Sequence, residues 1–226
     1  MAMQMLFMHW RTVRFGMIPF VIAAFAVPLV LVQGMTASAS TLGAVSASSA
    51  FSSQEAGLLF FPALAAAIGC VLALSAWNWD HKLGHVYALS LPVSRARYAL
   101  MKFGAGAVLG LIPAAALFAG SLTALMSVNM PEGMHAYPVQ LTGHFLFAEL
   151  VLYALLFSMA AGTVRTTTII ASLVFGVPLL TAIGIKYLAP VFPPLGLVDF
   201  GYWLADALES FGPFRIFLGN WMLIDV

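Results

Sequence analysis

A carboxylate inside a long apolar run is the residue of this chain best able to do chemistry. Glu149 lies in "HFLFAELVLYALL", about one turn from His144, where an ionisable group is expensive and marks a substrate path or a polar partner on another span. Glu149 and His144 are therefore candidate residues of a substrate path. His81 and His85 stand at i and i+4, the spacing by which one helix face chelates a metal. Lys82 between them and Gly84 just before the second argue against a rigid site, and the glutamate of an HExxH motif is missing. Solvated interface histidines are the expectation. Met126, Met130, Met134 and His135 cluster in "MSVNMPEGMHA", and thioethers with imidazole suit Cu(I). Yet twelve Met are scattered along the chain, and Met is ordinary filler on apolar surfaces. No Ser–His–Asp array, paired carboxylates or GxxxxGKS/T phosphate loop is recognisable. We expect no catalytic, metal-binding or cofactor-binding residue in the chain itself. Cys70 is alone, which excludes an internal disulfide and a thiol-rich metal site.

The elements that position these residues follow from composition. Of 226 residues, 62% are hydrophobic and 8% charged, with mean hydropathy +1.01, whereas soluble domains carry about 25% charged residues. Nine basic and eight acidic side chains cannot solvate a surface of this size, so the expected class is an all-α integral membrane protein. A net charge of +1 excludes a global pull toward nucleic acid. A bilayer core of about 30 Å needs about 20 apolar residues in helix, and five stretches qualify: 15–32, 57–76, 103–125, 144–161 and 168–185. They are continuous and do not alternate, as helices rather than barrel strands require. Pro28, Pro62, Pro113 and Pro178 fall inside them, which packed neighbours in a membrane bundle can accommodate. Gly106, Gly110 and Ala114 make a small-residue seam suited to close helix approach.

Residues 1–14 look like an interfacial helix, with Trp10, Arg11 and Arg14 at headgroup depth. The apolar run after them is longer than a signal peptide's core, so it is expected to remain as a span, followed by a flexible external loop over residues 35–53. Prolines 190, 193 and 194 break the fifth helix. Phe200, Trp203, Leu204, Ala207, Leu208 and Phe211 then recur as one face of an amphipathic helix, expected on the outer surface within a helical segment 189–226 whose last residues are too short and polar to span. Seven of the nine basic residues (Arg11, Arg14, Lys82, Arg95, Arg97, Lys102 and Arg165) fall on one side of this arrangement. By the positive-inside rule that side, with the N-terminus, is cytoplasmic, and the chain is a multi-pass protein of the cell's inner (plasma) membrane.

Between the second and third spans lies "WNWDHKLGHVYALSLPVSRARYALMKF", residues 77–103. A plain connector needs a few polar residues and a glycine. This one leaves Val86, Tyr87, Leu89, Leu91 and Val93 facing the cytoplasm unless something covers them, rimmed by Arg95, Arg97 and Lys102, which is the composition of a partner-binding face. Ser94 stands where a helix cap is expected. The acid–three residues–Gly run of Asp80 and Gly84, then "LSLPVSR" and "RYALMKF", resembles the first cytoplasmic loop of type-2 ABC transporter permeases. The resemblance covers most of the chain by order of spans, and about 25 residues by motif.

What it implies is a polytopic bundle forming one transmembrane domain over 1–226, with residues 77–102 as a cytoplasmic coupling loop. Asp80, Gly84, Val86, Tyr87, Leu89, Leu91, Pro92, Arg95 and Arg97 would form the docking surface for a separate ABC ATP-binding subunit. ATP and Mg would sit on that partner, and none on this chain, which by itself is no enzyme. A second permease subunit (homodimer or heterodimer) and membrane lipid would complete the assembly, and no nucleic acid enters it. The function implied is export driven by ATP. The alternative is a scaffold or sensor subunit of an ABC-type complex that does mechanical work without substrate passage. The family usually has six spans, and five are counted here.

Overall fold

In the computed structural model, the described residues are 2–38, 47–82, 93–128, 134–162, 168–169, 172, 203, 215–217 and 221–225. Four helices dominate: α1 (Ala2–Ser38), α2 (Ala47–Lys82), α3 (Arg95–Met126) and α4 (Pro138–Ala160). Each contains a stretch long and apolar enough to cross a membrane: Met3–Gly34, Leu59–Lys82, Arg95–Met126 and Pro138–Ala160. The chain divides into two units, Met1–Phe157 with Gly219–Val226, and Ser158–Leu218. Within the second, Gly162 N–H donates to Met159 O at 3.2 Å at the end of α4, and residues 215–217 make one 3-10 turn.

In the first unit α1 packs along α3 and α2, and α2 also meets α3. The inward stripe of α1 is His9, Val13, Met17, Ala24 and Val32, all buried, while Phe15, Ile18 and Ile22 face outward. Both faces are apolar, the pattern of a helix with protein on one side and lipid on the other rather than water. Aromatic rings tie α4 to the bundle. Phe103 of α3 stacks on Tyr153 at 5.0 Å and meets Phe157 edge-on at 5.4 Å. Trp77 of α2 lies 5.1 Å from Phe157 and donates its indole N–H to the Phe157 carbonyl at 3.1 Å.

The end of the bundle where α2 and α4 begin is closed by the chain's last residues. Strand β1 (His135–Ala136), just before α4, pairs antiparallel with β2 (Ile224–Asp225), His135 opposite Asp225. Tyr137 N–H continues the ladder to Leu223 O at 2.9 Å. Trp221 is buried beside the His144 ring, 6.1 Å away, and its carbonyl lies so near the start of α2 that a Cβ on Gly57 would come within 3.3 Å.

Several expected boundaries move. The interfacial helix 1–14 is not a separate element, because α1 runs unbroken from Ala2 to Ser38. One buried stripe, from His9 through Val32, crosses the expected break. The external loop 35–53 shortens, with α1 reaching Ser38 and α2 beginning at Ala47. Helix occupies both flanks of the expected coupling loop 77–102, to Lys82 and from Arg95, and the fourth span begins at Pro138 rather than 144. Within 189–226, residues 221–225 turn back as a strand segment instead of continuing a helix. The fifth span 168–185 and the amphipathic helix near Trp203 lie almost wholly outside the described residues.

Candidate functional site

The centre of the first unit is polar in a way its apolar surroundings make conspicuous. Glu149 stands at the midpoint of α4, fully buried, and among the described residues neither carboxylate oxygen has a hydrogen-bond partner. It fits because α3 carries glycine opposite: a Cβ on Gly110 would run into Glu149 Oε1 and approach Leu72 of α2. One turn away, Gly106 makes the same room for the Tyr153 hydroxyl and for His9, whose Cε1 would be 3.1 Å from a Cβ there. The expected small-residue seam is thus occupied by polar side chains of two other helices. Tyr153 donates to the Phe103 carbonyl at 3.2 Å. The Ser75 hydroxyl donates to Leu72 O at 2.9 Å, so its contact with His9 Nε2 at 2.8 Å is donated by the imidazole. His9 Nδ1 and Ser121 Oγ, like Glu149, are buried without a partner among the described residues. Three unpaired polar groups inside one bundle are unusual, and a carboxylate is the costliest of them.

A second cluster links α2 to α3 at the opposite end from the strands. The Asp80 carboxylate forms an ion pair with Lys102 and accepts from the Tyr98 hydroxyl at 3.1 and 3.3 Å. Lys102 is itself held over the Trp77 ring at 4.6 Å and the Tyr98 ring at 5.1 Å. Asp80 is almost fully enclosed, its side chain 3% exposed. Its carboxylate is therefore turned into the bundle and used within the chain. Through Trp77 and Phe157 the cluster continues to Phe103 and Tyr153, one helical turn from Glu149.

The expected docking residues divide in three, the first being Asp80, enclosed in its ion pair with Lys102 rather than on the surface. Gly84, Val86, Tyr87, Leu89, Leu91 and Pro92 lie outside the described residues. Arg95 and Arg97 are exposed in the first turn of α3, which holds no acidic residue. Cations there oppose the helix dipole, which favours negative charge at a helix start and positive charge at its end. Lys82, in the last turn of α2, has the favourable placement. Ser94 does occupy the N-cap position of α3, but its side chain makes no capping bond; the Ser94 carbonyl takes the Tyr98 N–H at 3.0 Å.

The two halves of the expected substrate path are separated. Five residues apart on a helix, Glu149 and His144 differ by about 140° of rotation. His144 is half-buried, bonded to Gln140 O at 3.3 Å and near Trp221, while Glu149 faces the core. His81 is exposed at the end of α2, and His85 falls outside the described residues. Met126 is exposed, and among the described residues no group of three His, Cys, Asp or Glu side chains is placed to hold a metal. His9, Ser75 and Tyr153 were not singled out from sequence. The available signal was His9 itself, a polar residue in phase with Val13 and Met17 at steps of four. Comparisons of the chain with protein families, curated proteins and solved structures return no match.

Proposed function

We propose that the chain is the permease subunit of an ATP-driven exporter of the ABC type. In this reading two such subunits line a path, and ATP-binding subunits seat under residues 86–95. The reading is carried by the Asp80–Lys102–Tyr98 cluster. It staples together the two helix ends that flank residues 83–92, so a push on that segment moves α2 and α3 as one body. The aromatic chain from Trp77 to Tyr153 then leads toward the buried Glu149. Arg95 and Arg97 support the docking role, since a surface of opposite charge would relieve their conflict with the helix dipole.

The test replaces Leu89 and Arg95 together by Glu, leaving the cluster untouched. Copurification of an ATPase with the tagged chain from its native membrane should fall by roughly tenfold or more; undiminished recovery would retire the docking role. Accumulation of candidate compounds in cells with and without the assembled pair separates export from a scaffold or sensor that moves no substrate.

A further inference from the structure

We propose that Glu149 is a proton-binding site, loaded and emptied from the cleft between α1 and α2 by way of Ser75, His9 and Tyr153. These side chains come from three helices yet form one file. Gly110 of α3 faces Glu149 and, one turn toward the end of the bundle where α1 begins, Gly106 faces Tyr153. Glu149 and Tyr153 are i and i+4 on α4 and so share a face. The Tyr153 hydroxyl and the His9 ring both occupy the space left by the missing side chain of Gly106. His9 Nε2 then reaches Ser75 Oγ at 2.8 Å, crossing from α1 to α2. Just beyond Ser75 on α2 is Asn78, and just beyond His9 on α1 is Thr12. Both line a cleft of about 550 Å³ whose other walls are Met8, Arg11 and Lys82. Such a space is roomy and polar enough to hold water, so the file runs from an aqueous mouth to the middle of α4.

Its members have the open positions that proton transfer needs. Both Glu149 oxygens and His9 Nδ1 are buried without a hydrogen-bond partner among the described residues, and the two residues are 0% and 7% exposed. Because Nε2–H is given to Ser75, Nδ1 carries the bare lone pair of the ring. In release, the Glu149 carboxyl gives its proton to the Tyr153 oxygen, which passes its own hydrogen to His9 Nδ1. The imidazole gives Nε2–H to Ser75 and the cleft, so one proton reaches water and a carboxylate remains. Loading is the reverse. Near the inner rungs, the other titratable groups are Lys102 of α3, one turn from Gly106, with Asp80 of α2 and Tyr98 bonded to it. Toward Glu149 itself α2 turns Gly69 and Leu72 and α3 turns Gly110, none of which titrates. Among the described residues no cation therefore balances a bare Glu149 carboxylate, and a buried charge without a partner is costly. Loss of the proton loosens the packing of α4 on Gly110 and Leu72, which ties protonation to helix contact. Chains of ionisable groups inside spans act as proton relays, and this one does not rest on the exporter reading.

Infrared difference spectroscopy of the full chain in lipid nanodiscs reads the site directly. At neutral pH the wild type should show the C=O stretch of a protonated carboxyl that is absent in Glu149→Gln. On transfer to heavy water that band should shift as the proton exchanges. Tyr153→Phe and His9→Gln, each made alone, should slow the exchange by about tenfold or more, because each removes one proton-carrying group. A variant that merely loosened the packing would admit water and hasten exchange, so slowing separates a relay from a structural role. Ser121→Ala removes another buried hydroxyl, about three turns along α3 from Gly110, and should leave the rate unchanged. A band absent at neutral pH, unmoved by heavy water, or present only after sodium and potassium are withdrawn overturns the proposal; the last result would make Glu149 a metal-cation site. Exchange as fast as in the wild type in either relay variant, or slowed equally in Ser121→Ala, overturns the path.

Discussion

Both carboxylate oxygens of Glu149 are enclosed without a hydrogen bond among the described residues, and a buried polar group left unpaired costs about 1–3 kcal/mol relative to an apolar one, more if charged. Replacing Glu149 by Leu, of similar reach and without polar atoms, should therefore raise stability by about 1–3 kcal/mol, measured by SDS-induced unfolding in mixed micelles. Gln retains two polar atoms in the same dry space, so Glu149→Gln should show little or none of that gain. If the residue serves transport, both variants should also change how a substrate stimulates ATP hydrolysis by the assembled complex. A gain in stability with an unchanged stimulation curve would remove Glu149 from the path. The sequence made the charge legible, since a lone acid in an apolar run needs no structure to be noticed. It did not make the enclosure legible, because that depends on Gly110 and Leu72, 39 and 77 positions earlier in the chain. His144 shows the converse: it is close to Glu149 in sequence, yet an offset of five turns the two side chains to different faces.

At the level of elements, the joint between α2 and α3 rests on one enclosed ion pair with a tyrosine and two aromatic faces around it. Removing one partner of such a pair strands the other in a poorly solvated place, which costs about 3–5 kcal/mol, while removing both costs less than the sum. Asp80→Ala and Lys102→Ala should each destabilise by about 3 kcal/mol, with a coupling of about 2 kcal/mol in the double variant. Additive effects in the same unfolding assay would mean that the pair does not join the helices. Tyr98→Phe should lose about 1 kcal/mol, the value of one hydrogen bond. The apolar cores of the four described spans were readable from continuous hydrophobic runs, but their ends were not. Trp77–Lys82 and Arg95–Lys102 fall outside the apolar runs because they are polar, yet both are helical, and Trp77, Asp80, Tyr98 and Lys102 within them bond across to a neighbouring helix. The strand pair of His135–Ala136 with Ile224–Asp225 had no local signal either, since two-residue strands carry no periodicity.

For the whole molecule, orientation follows from where charge collects. Arg11, Lys82, Arg95 and Arg97 lie at the end of the bundle where α1 begins, α2 ends and α3 begins, whereas β1, β2 and the start of α4 form the opposite end. Lys and Arg near span ends set topology by remaining on the cytoplasmic side, so the strand end should face outward. The chain offers a clean assay, because Cys70 is its only cysteine and can be replaced by Ala. Single cysteines at Arg97 and at His135, both exposed, then report on the two ends. A membrane-impermeant maleimide applied to intact cells should label His135→Cys and leave Arg97→Cys unlabelled, and inverted vesicles should reverse the pattern. Labelling of Arg97→Cys from outside would place the basic end, and with it residues 83–92, beyond reach of any cytoplasmic ATPase. That single outcome would remove the exporter and the ABC-type scaffold together, because both need the joint made by Asp80 and Lys102 on the side where ATP is hydrolysed.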